Sequence, residues 1–318
     1  MDQDGKSPGK GPRQTQISLM LSRRECITAG AAALASLFCD RIAGADEASA
    51  VDPRPTLAVT INGRGPYRLI ADSAAEGIAL SRSVADELGL PPSRETVTGA
   101  GSTGSAVRAA RTVQSIDTGD LHWRDRRATI LDRHALALAD GILGLAGLPG
   151  LVAHYRFGPR TASIQTSGER DVVDGTTGRP ALRLPITLRR GNVPCIDMEC
   201  RDAGGRMFKL VAVVDTGAES SVGNAALARL LQPSATVAAA GNRPLTGSSG
   251  ETIIGSDVAL TGLRVGAIEW QPTRIRCADL PAFRDWGLDA APALLLGVDL
   301  LARFGELRID ADRRELRA

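Results

Sequence analysis

A chain of 318 residues, 43 % of them hydrophobic, carries enough apolar material for one large core or two smaller ones, which excludes global disorder. Its 38 basic and 36 acidic residues leave a net charge of +2, and the arginines alternate with acids, as in Arg124-Asp125-Arg126-Arg127, so no basic stripe for nucleic acid exists. Aromatic residues make up only 3 %, which disfavours a base- or sugar-stacking platform, and no apolar run reaches the ~18 residues of a membrane span.

Residues 1–50 have the layout of an export signal. A polar start leads to Ser22-Arg23-Arg24-Glu25-Cys26-Ile27, followed by a weakly apolar run from Ile27 to Cys39. Ala43-Gly44-Ala45 and Ala48-Ser49-Ala50 both fit a small-residue cleavage pattern. The paired arginines resemble a twin-arginine signal, although Cys26 stands where that motif usually has Phe. The expected address is the periplasm or the exterior.

The remainder reads mainly as strands. Thr56 to Ile61 alternates apolar and polar, Asn62-Gly63 marks a tight hairpin, and Pro66 to Ala71 runs back. Further on, Cys195 to Cys200, a turn at Asp202 to Gly205, and Met207 to Val214 repeat that layout. Only short helices are supported, at Ser83 to Leu88 and Asn224 to Leu231. Cys195, Cys200 and Cys277 have no histidine near them in sequence, so they read as isolated core or surface cysteines.

Four landmarks recur in the same order. Asp72-Ser73-Ala74-Ala75-Glu76 is matched by Asp215-Thr216-Gly217-Ala218-Glu219, each after an apolar run. Thr98 to Gly104, with Gly99, Gly101 and Gly104, is matched by Thr246 to Thr252, with Gly247 and Gly250. Ile142-Leu143-Gly144 is matched by Leu295-Leu296-Gly297, and Arg156-Phe157-Gly158 by Arg303-Phe304-Gly305. The chain reads as an internal duplication: lobe one at 51–168, a polar linker at 169–178, and lobe two at 179–318.

An aspartate at the end of an apolar strand, followed by a hydroxyl residue and a small residue, presents its carboxylate from a rigid turn. Two such units facing each other would bring Asp72 and Asp215 together. Carboxylates so close share one proton and titrate as a pair. They can hold a water between them, with one acid accepting its proton and the other donating to a carbonyl oxygen. Neither a metal nor another cofactor is required. The hydroxyls of Ser73 and Thr216 can bond across the axis and fix the geometry. Asp117-Thr118-Gly119 spells the same motif, but it lies between two strand patterns and reads as a turn.

Asp215-Thr216-Gly217-Ala218, the glycine-rich hairpins and the later Leu-Leu-Gly segment resemble the retropepsin-like aspartic proteases over residues 56–312. The resemblance implies two closed β-barrel-like lobes related by a pseudo-twofold axis. It also implies one aspartate per lobe, flaps at Gly99 to Gly104 and Gly247 to Gly250, and a peptide or unfolded protein as substrate. The active centre would then be completed within one chain. Ser73 and Ala74 depart from the family's Thr and Gly; the serine keeps the hydroxyl, whereas the alanine adds a methyl in a crowded turn. A catalytically impaired peptide-binding or regulatory module is therefore the alternative to an active peptidase.

Overall fold

The computed structural model describes residues 52–318 apart from 94–95, 120, 133–135, 147, 149, 168–181, 233–241 and 248–249. The export-signal reading of 1–50 and the linker at 169–178 lie outside the described residues.

The chain is mainly β. Leu57, Val59 and Ile61 alternate inward along β1 (Thr56–Ile61). Asn62 and Gly63 then turn at φ 51° and 73°, the positive pair that a two-residue hairpin with the right twist needs. β2 (Arg64–Asp72) returns antiparallel, with Thr56 opposite Ile70. Its last four residues, Leu69 to Asp72, are all buried because β8 (Gly141–Gly144) runs parallel beside them. Beyond β8 lie β3 (Ile78–Ser81), β7 (Leu121–Leu131) and β6 (Ala110–Thr118), and β6 pairs back to β1 at Ile116 and Ile61. These six strands close into a barrel.

The second half repeats the same connections. β13 (Val193–Arg201) and β14 (Met207–Val214) form the first hairpin. β21 (Ala293–Leu296) runs parallel to β14, β15 (Val222–Gly223) lies antiparallel to β21, and β20 (Thr273–Cys277) is parallel to β15. β17 (Thr252–Leu260) then pairs with β20 and with β16 (Asn242–Thr246). The duplication read from four short motifs is therefore also a duplication of strand order.

The second sheet differs from the expected closed barrel. Among the described residues no pairing joins β17 to β13. The free edge of β13 is instead taken by β12 (Thr187–Arg189) and β18 (Arg264–Val265), which pairs onward with β19 (Ile268–Glu269).

A further layer joins the halves. β9 (Leu151–Arg156) and β10 (Thr161–Thr166) form a hairpin, and β22 (Glu306–Asp310) pairs with β9 across Arg156 and Glu306. β23 (Glu315–Arg317) and β11 (Arg183–Pro185) complete that edge. Both Arg-Phe-Gly landmarks lead into these strands, but Arg156 ends a strand whereas Arg303 and Phe304 lie in a 3₁₀ turn. β4 (Val97–Ala100) and β5 (Ser105–Arg108) form a separate two-stranded hairpin.

The short helices sit close to their predicted places. α1 (Arg82–Glu87) is capped by Ser81, whose hydroxyl accepts the Val84 amide, and α2 (Ala225–Leu231) by Asn224, which accepts the Leu227 amide at 2.8 Å. α3 (Pro281–Asp285) and α4 (Val298–Leu301) complete the helices used below. Asp117-Thr118-Gly119 ends β6 and turns into β7, with Gly119 at φ 55°, as the turn reading requires. Cys195, Cys200 and Cys277 are free and buried. No helix among the described residues is long and apolar enough to cross a membrane.

Candidate active site

β2 and β14 occupy matching places in the two sheets, and each ends at an aspartate-bearing turn. Both turns have the same internal bonds. Asp72 Oδ1 accepts the amides of Ala74 and Ala75, both at 2.9 Å. Asp215 Oδ1 accepts those of Gly217 at 2.9 Å and Ala218 at 3.1 Å. The Leu-Gly landmarks brace the turns by backbone bonds. Leu145 donates to the Asp72 carbonyl, Asp215 donates to Leu296, and Val298 donates to Ala218. A Cβ on Gly144 would meet Ala75 carbonyl carbon at 2.6 Å, and one on Gly297 would meet that of Ser220 at 2.6 Å, so both glycines permit this approach. Leu143 and Leu296 themselves are buried in the core.

The two turns are bonded to each other. The Ser73 amide donates to Thr216 Oγ1 at 3.0 Å, and the Thr216 amide donates to Ser73 Oγ at 3.1 Å. Each hydroxyl then donates to a carbonyl of the opposite half: Ser73 to Val214 at 2.8 Å and Thr216 to Ala71 at 2.6 Å. Four buried backbone groups are satisfied by two side chains. Thr216→Val, which keeps the shape and removes the hydroxyl, orphans the Ser73 amide and the Ala71 carbonyl. It should lower stability by about 2–4 kcal/mol in urea unfolding, and a loss below about 0.5 kcal/mol would contradict the arrangement.

Gly217 joins the two acids. Its amide bonds to Asp215, while a Cβ built on it would overlap the Asp72 carboxylate. The Asp72 carboxylate therefore rests on the turn that holds Asp215. Both acids are 0 % exposed. The Oδ2 atoms of both are buried and have no hydrogen-bond partner among the described residues. Burial pushes the Asp72 carboxyl up to about 7, against the downward pull of its two amide bonds and of the Arg54 charge. Asp215 is held well above the ordinary carboxylate range by burial and then by the adjacent Asp72 charge.

Arg54, which the sequence reading did not single out, is 1 % exposed just before β1. It clamps Asp52 with Nε at 2.9 Å and Nη2 at 2.7 Å. It also reaches into the second half, to the Gly217 carbonyl at 3.4 Å and to Glu219 at 3.5 Å. Counting back along the matched hairpins, Val193 takes its place in the second half. Glu76, the repeat of Glu219, is instead half-buried, its carboxyl raised by burial and lowered by the Arg190 charge. No sequence signal separates Arg54 from the many other arginines of the chain.

The two glycine-rich segments meet each other, Gly104 against Glu251 and Gly247 against Thr103. Gly99 pairs with Ala106 in the β4–β5 hairpin, and Gly101 and Gly104 exchange amide–carbonyl bonds at its tip. Ser102 and Thr103 at this tip are buried. They lie against the other half: the Ser102 carbonyl accepts the Ala282 amide of α3 at 3.4 Å, and Thr103 fills the space a Cβ on Gly247 would need. The Gly247 to Gly250 turn joins β16 to β17, with Gly250 at φ 84°. The first hairpin is its own small sheet, whereas the second is continuous with the sheet of its half.

Residues 57–146 match the family model described as "Aspartyl protease". No curated protein sequence matches the chain. Among solved structures, a retropepsin-like aspartic protease from Rickettsia conorii aligns at 22 % identity over 28 % of this chain and 65 % of that one, with a TM-score of 0.21. The residues of the family match span the strands of the closed barrel and include Asp72.

Proposed function

We propose that the chain is an aspartic endopeptidase in which Asp72 and Asp215 act as one dyad. The observation that carries this reading is the contact of Gly217 with both carboxyls, by its amide on one side and its α-carbon on the other. The two buried Oδ2 atoms are the groups left to hold a water. In the monoanion, the ionised acid takes a proton from that water as its oxygen bonds to the peptide carbonyl carbon. The neutral acid gives its proton to the carbonyl oxygen. The resulting gem-diol collapses with a proton passed to the amide nitrogen, and the C–N bond breaks. Ser73, Thr216 and Gly217 hold the geometry, and the two glycine-rich hairpins cover an extended peptide or unfolded chain. One chain supplies both acids. In this reading residues 1–50 export the protein, which rests on their sequence alone.

The pH dependence follows from the raised carboxyls. The monoanion forms as pH rises toward the value of about 7 reached by Asp72, and is lost when the second acid ionises. Purified protein should cleave unfolded protein with a bell-shaped profile whose rising limb lies near pH 7. It should be blocked by statine-type peptides and indifferent to chelators. An optimum near pH 2–3, or loss of activity to a chelator, would contradict this. The rival reading, a peptide-binding module, rests on Ala74. The Ala74 amide makes the same bond to its aspartate as the Gly217 amide does, which favours the enzyme.

A further inference from the structure

The two halves differ just after their Leu-Gly landmarks. Beyond β21, Gly297 leads into α4, whose Val298, Leu300 and Leu301 are buried. Beyond β8, Leu145, Ala146 and Leu148 follow Gly144 outside any helix, and both leucines are only half-buried. These three residues line a cavity together with Leu151 of β9, Ile164 of β10 and Ile309 of β22, strands of the sheet that joins the halves. Ser73 and Tyr155, 3 % and 0 % exposed, mark its inner end, and the exposed Asn192 marks its mouth. Its volume is about 30 Å³, room for about two water molecules.

The walls dictate the chemistry of an occupant. The Tyr155 hydroxyl is buried and has no hydrogen-bond partner among the described residues. Burial holds the phenol protonated, so it has a hydrogen to give. The Ser73 hydroxyl has already given its own to the Val214 carbonyl. A buried phenol without an acceptor lowers stability, and a ligand that brings an acceptor removes that penalty. Among the described residues no charged side chain lines the cavity, and Asp72 adjoins Ser73, which disfavours a charged ligand and an anion most of all. The remaining walls are almost entirely aliphatic, which suits a hydrocarbon chain.

We propose that this cavity is a binding site for a short, uncharged aliphatic carbonyl compound. Its oxygen accepts the Tyr155 hydroxyl, and its alkyl chain lies along Leu148, Leu151 and Ile164 toward the mouth. A carbonyl group and its first methyl fill about the space of two waters, and the rest of the chain stays half-exposed. The site reaches the Ser73 turn from the joining sheet, and it assumes nothing about what the two aspartates do.

The test is a titration of the full chain with pentan-2-one, followed through the methyl resonances of Leu148, Leu151, Ile164 and Ile309. These should shift saturably, with a Kd on the order of 1–10 mM. The alkene of the same shape, 2-methylpent-1-ene, should bind about fivefold more weakly or worse, because it leaves the phenol without an acceptor. Butanoate, its charged counterpart, should bind about tenfold more weakly or worse. Tyr155→Phe should lose the preference for ketone over alkene, a ratio that a merely structural role would not move. Equal binding of ketone and alkene by the wild type, or a preference kept in Tyr155→Phe, overturns the inference. Shifts that rise without saturating, an adventitious additive only, overturn it too. Should Tyr155→Phe fail to fold, Leu148→Trp closes the mouth from a half-exposed position and should abolish binding; undiminished binding would overturn the site. None of these outcomes bears on peptide cleavage, so the site and the dyad stand or fall separately.

Discussion

Asp72→Asn and Asp215→Asn should each lower peptide cleavage by about 10³-fold or more, because either change removes one of the two proton carriers of the proposed dyad. The amide side chain can still accept the two backbone bonds at Oδ1, so the turns need not unravel. The same substitutions alter stability in a way that depends on pH. Burial raises both carboxyls in the folded state, so between their unfolded value near 3.8 and the folded value of about 7 for Asp72 the native protein binds more protons than the unfolded chain. This contribution is fully present below the unfolded value and is lost as pH rises through the folded one. Asp72→Asn abolishes that slope at its position. Relative to wild type, it should gain stability between pH 4 and pH 7, by on the order of 4 kcal/mol at most. Urea unfolding at both pH values measures the gain; parallel curves for the two proteins would contradict the raised carboxyl.

Gly217→Ala has the second large effect. Its new methyl falls inside the space of the Asp72 carboxylate, in a turn where Gly217 also holds Asp215. The side chain displaced is one of the two proposed proton carriers, so the variant should lose activity by about 10²-fold or more and lose about 1–3 kcal/mol of stability. The repeat position behaves differently. Ala74 is 0 % exposed and shares a buried cluster with Ala146, Val213, Ala218 and Val222, so its methyl is packed. Ala74→Gly should cost about 1 kcal/mol and leave the rate within about threefold. A large gain in rate would instead mark Ala74 as damage to the centre. Full activity in Gly217→Ala would show that the two acids do not meet over this glycine.

The parts of this protein that sequence exposes are those set by local pattern. Alternation fixed β1, the Asn62-Gly63 pair fixed the hairpin, and Asn224 fixed the start of α2, because each depends on neighbours in the chain. The meeting of the Asp72-Ser73 and Asp215-Thr216-Gly217 turns was legible because duplication repeats a motif that one copy alone would leave ambiguous. Long-range choices were not legible. The occupation of the β13 edge by β12 and β18, in place of a closing partner, depends on competition among strands far apart in sequence. Arg54 lies outside the four repeated motifs. Its place is set by burial against the opposite half, which no local spacing encodes.

The most direct test of a shared centre is a crystal structure of the protein with a statine-type peptide bound. The account predicts that the inhibitor hydroxyl lies between Asp72 Oδ2 and Asp215 Oδ2, within about 3 Å of each, with the β4–β5 hairpin over the peptide. A peptide seated away from the two acids, or carboxyls too far apart to share one hydroxyl, would contradict it.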